Sequence, residues 1–101
     1  MKQWNVIISK EAQEDMKSIY RYIAYTLCEP VVALNLINRI DNAINSLSQM
    51  PERMPLYARD IRRMNVDHYA VFFRVLPQED FVLVDSVIYG RRDIDKILEE
   101  S

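Results

Sequence analysis

Residues 61–89 contain three segments rich in β-branched and aromatic residues, separated by two short polar turns. The first turn is Asp67–His68, whose length joins adjacent antiparallel strands, and Asp tolerates the left-handed backbone angles that such turns require. The second turn is 77–80 (PQED), where a proline stops a central strand. The pattern predicts a meander of strands at about 61–66, 69–76 and 81–89, closed by the only glycine, Gly90. An antiparallel sheet therefore organises the fold.

The two turns also predict the register, with Val66 opposite Tyr69 and Leu76 opposite Phe81. Side chains then alternate between two faces. One predicted face is almost wholly apolar and needs a helical layer: Arg62, Met64, Val66, Tyr69, Val71, Phe73, Val75, Val82, Val84, Ser86 and Ile88. The other mixes large apolar with charged side chains: Ile61, Arg63, Asn65, Ala70, Phe72, Arg74, Leu76, Phe81, Leu83, Asp85, Val87 and Tyr89. This mixture indicates a partner-binding surface, and the alternative is a face half covered by the C-terminal tail.

The remaining chain supplies the helical layer. A short β-branched run predicts a first strand at about 4–8, and apolar residues spaced by three and four predict helices at about 10–27 and 31–49. A loop follows at 51–60, and a short acidic helix is predicted at about 93–99. The predicted order is β-αα-βββ-α. This is an α+β fold with an antiparallel helix pair on one face of a four-stranded, antiparallel-dominated sheet, in one domain spanning residues 1–101. The sheet edge that the first strand joins stays open.

Composition excludes several classes of site. With one cysteine and one histidine, neither a disulfide framework nor a His/Cys zinc site can form, and no metal or cofactor is predicted. No apolar segment reaches membrane-spanning length, so we expect a cytoplasmic protein without a membrane partner. The net charge of −2 gives no general attraction to nucleic acid. Arginines nevertheless concentrate between Arg53 and Arg92, which predicts a local basic patch or, alternatively, arginines scattered on solvated strand edges.

One predicted constellation could carry chemistry at one end and one face of the sheet. Its arginines would hold phosphates, and its tyrosine would stack on a base or move a proton. The alternative is that Asp85 pairs with Arg74 or Arg63 across strands and that the other members are solvated. The members are Arg63, Arg74, Tyr89, Arg91 and Arg92.

The whole chain resembles the RelE/ParE superfamily of bacterial toxins from type II toxin–antitoxin modules. The matching segments, in order over about ninety residues, are VIISKEAQEDMKSIYRYIA, EPVVALNLINRIDNAINSLSQMPER, IRRMNVDHYAVFFRV and VDSVIYGRRDI. The resemblance implies the fold described above. It also implies a growth-inhibiting toxin that is neutralised by a cognate antitoxin whose C-terminal part wraps the domain. Operator DNA would be contacted only through that antitoxin.

The resemblance leaves the target open. Ribonuclease members, which act on ribosome-bound messenger RNA, have an arginine where this chain has Ala70, and a Tyr or His in or after the basic exit, whereas Tyr89 precedes Arg91 here. The ending IYGRRDI resembles the ParE-like branch, whose characterised members inhibit DNA gyrase without cleaving RNA. We therefore favour gyrase inhibition. The first alternative is a ribosome-dependent mRNA endoribonuclease with Arg74, Tyr89 and Arg91 as catalytic residues, and the second is an inactive or regulatory antitoxin-binding partner.

In each case we expect the antitoxin to lie on the mixed face of the sheet. Its apolar segment would cover Phe72, Leu83 and Val87, and Arg63 or Arg74 would hold its carboxylates. Arg92 is also assigned to binding.

Overall fold

The computed structural model describes residues 3–90. Within that range lie five strands and two α-helices: β1 (Asn5–Ile8), α1 (Lys10–Arg21), α2 (Pro30–Asn45), β2 (Leu56–Ala58), β3 (Ile61–Val66), β4 (Tyr69–Leu76) and β5 (Phe81–Tyr89). A π-helical segment, Tyr22–Thr26, extends α1, and two 3-10 segments, Ser46–Ser48 and Pro51–Arg53, follow α2. The predicted C-terminal helix at 93–99 lies outside the described residues.

The helix pair begins and ends where local sequence signals place its boundaries. The Ser9 hydroxyl accepts a hydrogen bond from the Ala12 amide at 3.0 Å and so caps the first turn of α1. At the far end, the Glu29 amide donates to the Ile23 carbonyl at 2.9 Å, one residue farther back than in a Schellman motif, because the last turn is π-helical. Cys28, just before Glu29, has a left-handed backbone with φ of 58°, where glycine is the usual residue. Pro30 then opens α2, since a first helical residue needs no amide proton.

The strand order is β1-β5-β4-β3-β2, with β1 parallel to β5 and the other pairs antiparallel. The first strand therefore joins the β5 edge of the meander, which places β5 inside the sheet. The predicted α+β class and the single layer of helices are confirmed. The sheet has five strands rather than four, because Leu56–Ala58, within the predicted loop, pairs irregularly with β3.

The hydrophobic core lies between the helix pair and one face of the sheet. The strands contribute Val71, Phe73, Val82 and Val84, all fully buried. The helices contribute Ala12, Ala33, Ile40 and Ile44, which are also fully buried. We call the opposite, helix-free side of the sheet the outer face.

The predicted register is confirmed for β3–β4 and fails part-way along β4–β5. Val66 pairs with Tyr69, and Leu76 pairs with Phe81, as the turns predict. Farther along, Phe73 pairs with Val84 whereas Phe72 pairs with Ser86, so Asp85 is an extra residue in β5. A bulge of this kind exchanges the two faces for every later residue of the strand.

The predicted positions of Val87 and Tyr89 on the outer face are therefore wrong. Val87 pairs with Val71 and lies in the core at 3% exposure, so it is no surface anchor. Tyr89 pairs with Tyr69, which packs against the core on the helix-covered side. Ser86 and Ile88, which were predicted to face the helices, take the places of these two residues on the outer face.

Candidate interaction site

Phe72, the predicted aromatic anchor of the outer face, is only 1% exposed. The ring of Tyr57 packs edge-on against it, with ring centroids 5.2 Å apart. Tyr57 belongs to β2, which the sequence pattern assigned to a loop, so Tyr57 was missed as a cover for Phe72. The accessible apolar part of the outer face lies at the other edge, where half-buried Leu83 pairs with Ile7, which is 45% exposed.

Arg74 is already engaged within the chain. Its Nε donates to Asp85 Oδ2 at 2.9 Å, and its Nη2 donates to Oδ1 at 3.3 Å. The hydrogen bond and the negative charge of Asp85 raise the pKa of Arg74 further above its already high ordinary value. The alternative interpretation, in which Asp85 pairs with Arg74, is thus the one that the structure shows.

Arg63 is held differently. Its Nε donates to Asn65 Oδ1 at 2.9 Å, and its guanidinium carbon lies 5.5 Å from the centre of the Tyr57 ring. Among residues 3–90, no carboxylate lies within ion-pair distance of it. Arg63 lines an open depression of about 210 Å³ beside the β3–β4 turn, which we call the hairpin depression, together with Asn65, Asp67, His68 and Gly90.

The structure does not bring the proposed catalytic residues together. Arg74 and Tyr89 are in register with positions five residues apart on β4, about 16 Å at ~3.3 Å per residue. They also lie on opposite faces, because the bulge carries Tyr89 to the helix-covered side. Arg91 and Arg92 lie outside the described residues.

Tyr89 instead belongs to a tyrosine cluster at the end of the sheet. Its ring packs edge-on against Tyr69 at 5.5 Å between centroids. Burial raises the pKa of Tyr69, and the neighbouring phenols of Tyr89 and Tyr22 raise it further. The cluster was not predicted, because it depends on the bulge.

Asp15 is a second polar residue that the sequence pattern did not single out. Its Oδ2 accepts a hydrogen bond from the Val87 amide at 3.0 Å. Burial raises the pKa of Asp15 above its ordinary value; the bond from Val87 partly lowers it, and the charge of Glu11 raises it. Asp15 thus provides a hydrogen-bond acceptor for an amide of β5 that lies beyond the end of β1.

Metal and membrane sites receive no support from residues 3–90. In that range no three His, Cys, Asp or Glu side chains converge on a common point. None of the helices there is long and apolar enough to cross a membrane.

Three solved structures from toxin–antitoxin systems have this arrangement. The chromosomal ParDE system from P. aeruginosa superposes with a TM-score of 0.76 at 17% identity, over 88% of this chain and 98% of that one. The RelBE2 complex from Mycobacterium tuberculosis gives 0.60 at 16% identity, over 86% and 98%. The isolated E. coli RelE toxin gives 0.56 at 14% identity, over 96% and 97%. At these identities the likeness establishes the fold.

The family assignment rests on the sequence. No curated protein sequence matches the chain. Residues 6–94 match the family model described as the ParE toxin of the type II toxin–antitoxin system parDE. That match covers the helix pair, the hairpin depression and the described strands except for the first residue of β1. The chain therefore belongs to the ParE toxin family of type II toxin–antitoxin systems.

Proposed function

We propose that this toxin arrests growth by inhibiting DNA gyrase, that it does not cleave messenger RNA, and that a cognate antitoxin neutralises it. The observation that carries the choice of target is the arrangement of its cations. Phosphoryl-transfer chemistry needs charges preorganised around one phosphate. Here Arg74 is bound to Asp85, and the tyrosine that would assist it lies on the other face.

Position 70 supports the same choice. Ala70 pairs with Asn65 on one side and Ile88 on the other, and it is fully buried. The strand centre therefore lacks the charge that the ribonuclease members place there. Losing one preorganised charge contact to a transition state typically lowers a rate by ~10²–10³.

Two assays on one purified sample test the target: supercoiling by gyrase, and cleavage of messenger RNA on programmed ribosomes. We expect inhibited supercoiling and intact messenger. Codon-positioned cuts with normal supercoiling would overturn the proposal in favour of an endoribonuclease.

Toxicity itself is tested by expression without an antitoxin. We expect growth arrest. Normal growth at verified high soluble expression would instead support an inactive or regulatory antitoxin-binding partner.

The antitoxin surface that we propose is the accessible apolar strip of Ile7 and Leu83. It replaces the predicted anchors Phe72 and Val87, which are buried within the chain. Two apolar anchors of an interface commonly carry ~2 kcal/mol together when truncated, or ~30-fold in affinity.

The matched test is a double variant, Ile7→Ala with Leu83→Ala, against the single variant Leu56→Ala. Leu56 is a 59% exposed leucine on the opposite edge strand, so it controls for loss of a surface apolar side chain. We expect the double variant to bind the antitoxin at least ~30-fold more weakly and Leu56→Ala to bind normally. Equal affinities for all three proteins would remove this strip as the interface.

A further inference from the structure

Two charged side chains of opposite sign, Arg63 and Asp67, line the hairpin depression. Asp67 already has a partner, since its Oδ2 accepts from Arg39 Nε at 2.9 Å and from Arg39 Nη2 at 2.7 Å. Among residues 3–90, Arg63 is therefore left without a counter-ion.

Arg63 is oriented before any ligand arrives. The bond to Asn65 and the cation–π contact with Tyr57 restrain the guanidinium and use its Nε donor. The two terminal nitrogens form the other bidentate edge, and neither donates to an acceptor among residues 3–90. Because the side chain is already ordered, binding a ligand costs less rotamer entropy than it would at a free surface arginine.

Gly90 keeps that edge open. A Cβ at this position would lie 3.5 Å from Arg63 Nη2 and 3.0 Å from the His68 carbonyl oxygen. The Gly90 amide already donates to that carbonyl at 2.7 Å, so the wall of the depression is backbone held in place. A side chain here would narrow the approach to Arg63.

We propose that the hairpin depression binds one carboxylate from an acidic side chain of a protein partner, through two parallel hydrogen bonds from the terminal nitrogens of Arg63. One guanidinium edge matches one carboxylate in charge and geometry. A phosphate dianion fits less well, since its second charge finds no further unpaired cation among the lining residues within 3–90 and Asp67 lies at the rim. If the domain is neutralised as proposed above, this partner is the antitoxin, so the identity of the partner rests on the proposed function whereas the site does not.

The site is tested without the partner, by NMR titration of the intact toxin. The probe is N-acetylglutamate amide, with N-acetylglutamine amide as its neutral match, at constant ionic strength. We expect saturable shifts of the Arg63 Nε–Hε signal and of the His68 and Gly90 amides with the acid only. The affinity should be weak, ~10–100 mM, as suits one bidentate contact of a small ligand.

Variants assign the effect to Arg63. Arg63→Gln should weaken binding at least ~10-fold. Arg63→Lys keeps the positive charge but lacks the planar pair of donors, so it should bind with intermediate affinity. Arg53→Gln, at an exposed arginine outside the depression, is the matched control and should bind like the unaltered protein. Shifts that survive Arg63→Gln, or that are equally large with the neutral amide, would overturn the proposal.

Inorganic phosphate in the same titration separates the ligand classes. A tighter saturable response to phosphate than to the carboxylate would also overturn the assignment. Because none of these outcomes depends on toxicity, an active gyrase inhibitor without a carboxylate site would refute this inference alone. An inert protein with such a site would refute only the proposed function.

Discussion

The two hairpins that share β4 behave differently. In β3–β4, all six pairs follow the alternation that starts at the Asp67–His68 turn. In β4–β5, the alternation set by the second turn holds as far as Val84 and is reversed beyond Asp85. Counting from a turn therefore predicts the faces of a strand only while the ladder stays regular.

The two hairpins differ in what pairs with β5 on the side away from β4. Beyond the end of β1, that edge of β5 makes hydrogen bonds with α1 and its N-cap residue instead of with a strand. The Ser9 hydroxyl donates to the Asp85 carbonyl at 3.0 Å, and Asp15 accepts from the Val87 amide. A side chain in place of a neighbouring strand allows β5 to bulge while its backbone groups stay paired.

Val87→Asp should have the largest effect, because the bulge places Val87 in the core at 3% exposure. An isolated carboxylate is very costly to bury there. We expect loss of cooperative thermal unfolding by circular dichroism. The control is Ile88→Asp, at the next residue on the half-buried outer face, which should leave a folded domain. A cooperative transition of Val87→Asp near that of the unaltered protein would show that the bulge does not carry Val87 into the core.

Asp15→Ala tests the helix-to-strand bond directly. It leaves the Val87 amide without its acceptor, a change that costs ~1–3 kcal/mol at a buried site. Asp15→Asn keeps an acceptor and should be much less destabilising. Urea unfolding of both variants measures the difference, and equal losses would argue that the bond contributes nothing.

The same pair of proteins gives a pH test with a defined sign. The pKa of Asp15 is raised on folding, so the folded state binds the proton more tightly than the unfolded chain. Its contribution to stability therefore falls as the pH rises from the ordinary value of 3.8 through the raised pKa. The free energy of unfolding of Asp15→Asn minus that of the unaltered protein should therefore be larger at pH 7 than at pH 4, which means that the variant is relatively more stable at pH 7. A difference in the opposite direction would contradict the burial of Asp15.

Gly90→Ala tests the contact between the end of the second hairpin and the turn of the first. The added methyl group would meet the His68 carbonyl at 3.0 Å, so the backbone must shift. We expect a loss of ~1 kcal/mol in the free energy of unfolding. The comparison variant is Ile88→Ala in β5, two residues before Gly90. It removes side-chain volume instead of adding it, so the NMR signal of the His68 amide should not shift.

Arg74→Gln should have the smallest effect. The ion pair with Asp85 is partly exposed, at 38% and 30% for the two side chains, and pairs of this kind contribute ~0–1 kcal/mol. A loss well above that range, measured by urea unfolding, would mean that the pair helps to hold the bulge.

The sequence was informative about the fold because its signals are local. The two turns, the Ser9 cap and the proline at position 30 each act within a few residues, and they give the α+β order and the helix-covered face. The fifth strand was missed, since three residues of β2 carry too little alternation. The reversal beyond Asp85 was missed because the side chain that accepts from the Val87 amide there belongs to Asp15, 72 residues away in the sequence.

The candidate site was predicted less completely for the same reason. Arg63 could be placed on the outer face. Its lack of a carboxylate partner among residues 3–90 could not be predicted, because it depends on the pairing of Asp85 with Arg74 and of Asp67 with Arg39. Phe72 was expected to be accessible, and the ring that covers it comes from the unrecognised strand. Which charged side chains pair, and which ring covers Phe72, depend on tertiary contacts. The alternation of apolar and polar residues along a strand does not predict them.

The parallel pairing of β1 with β5 has a consequence for how the protein is made. The first strand pairs with residues 81–84, so these contacts of the sheet join residues 76 positions apart in the sequence. Such contacts close slowly, because the loop entropy must be overcome before they form. On the ribosome, β1 therefore has no sheet partner until β5 has been made. Translation thus delays the appearance of a folded toxin until residues 81–89 have been synthesised.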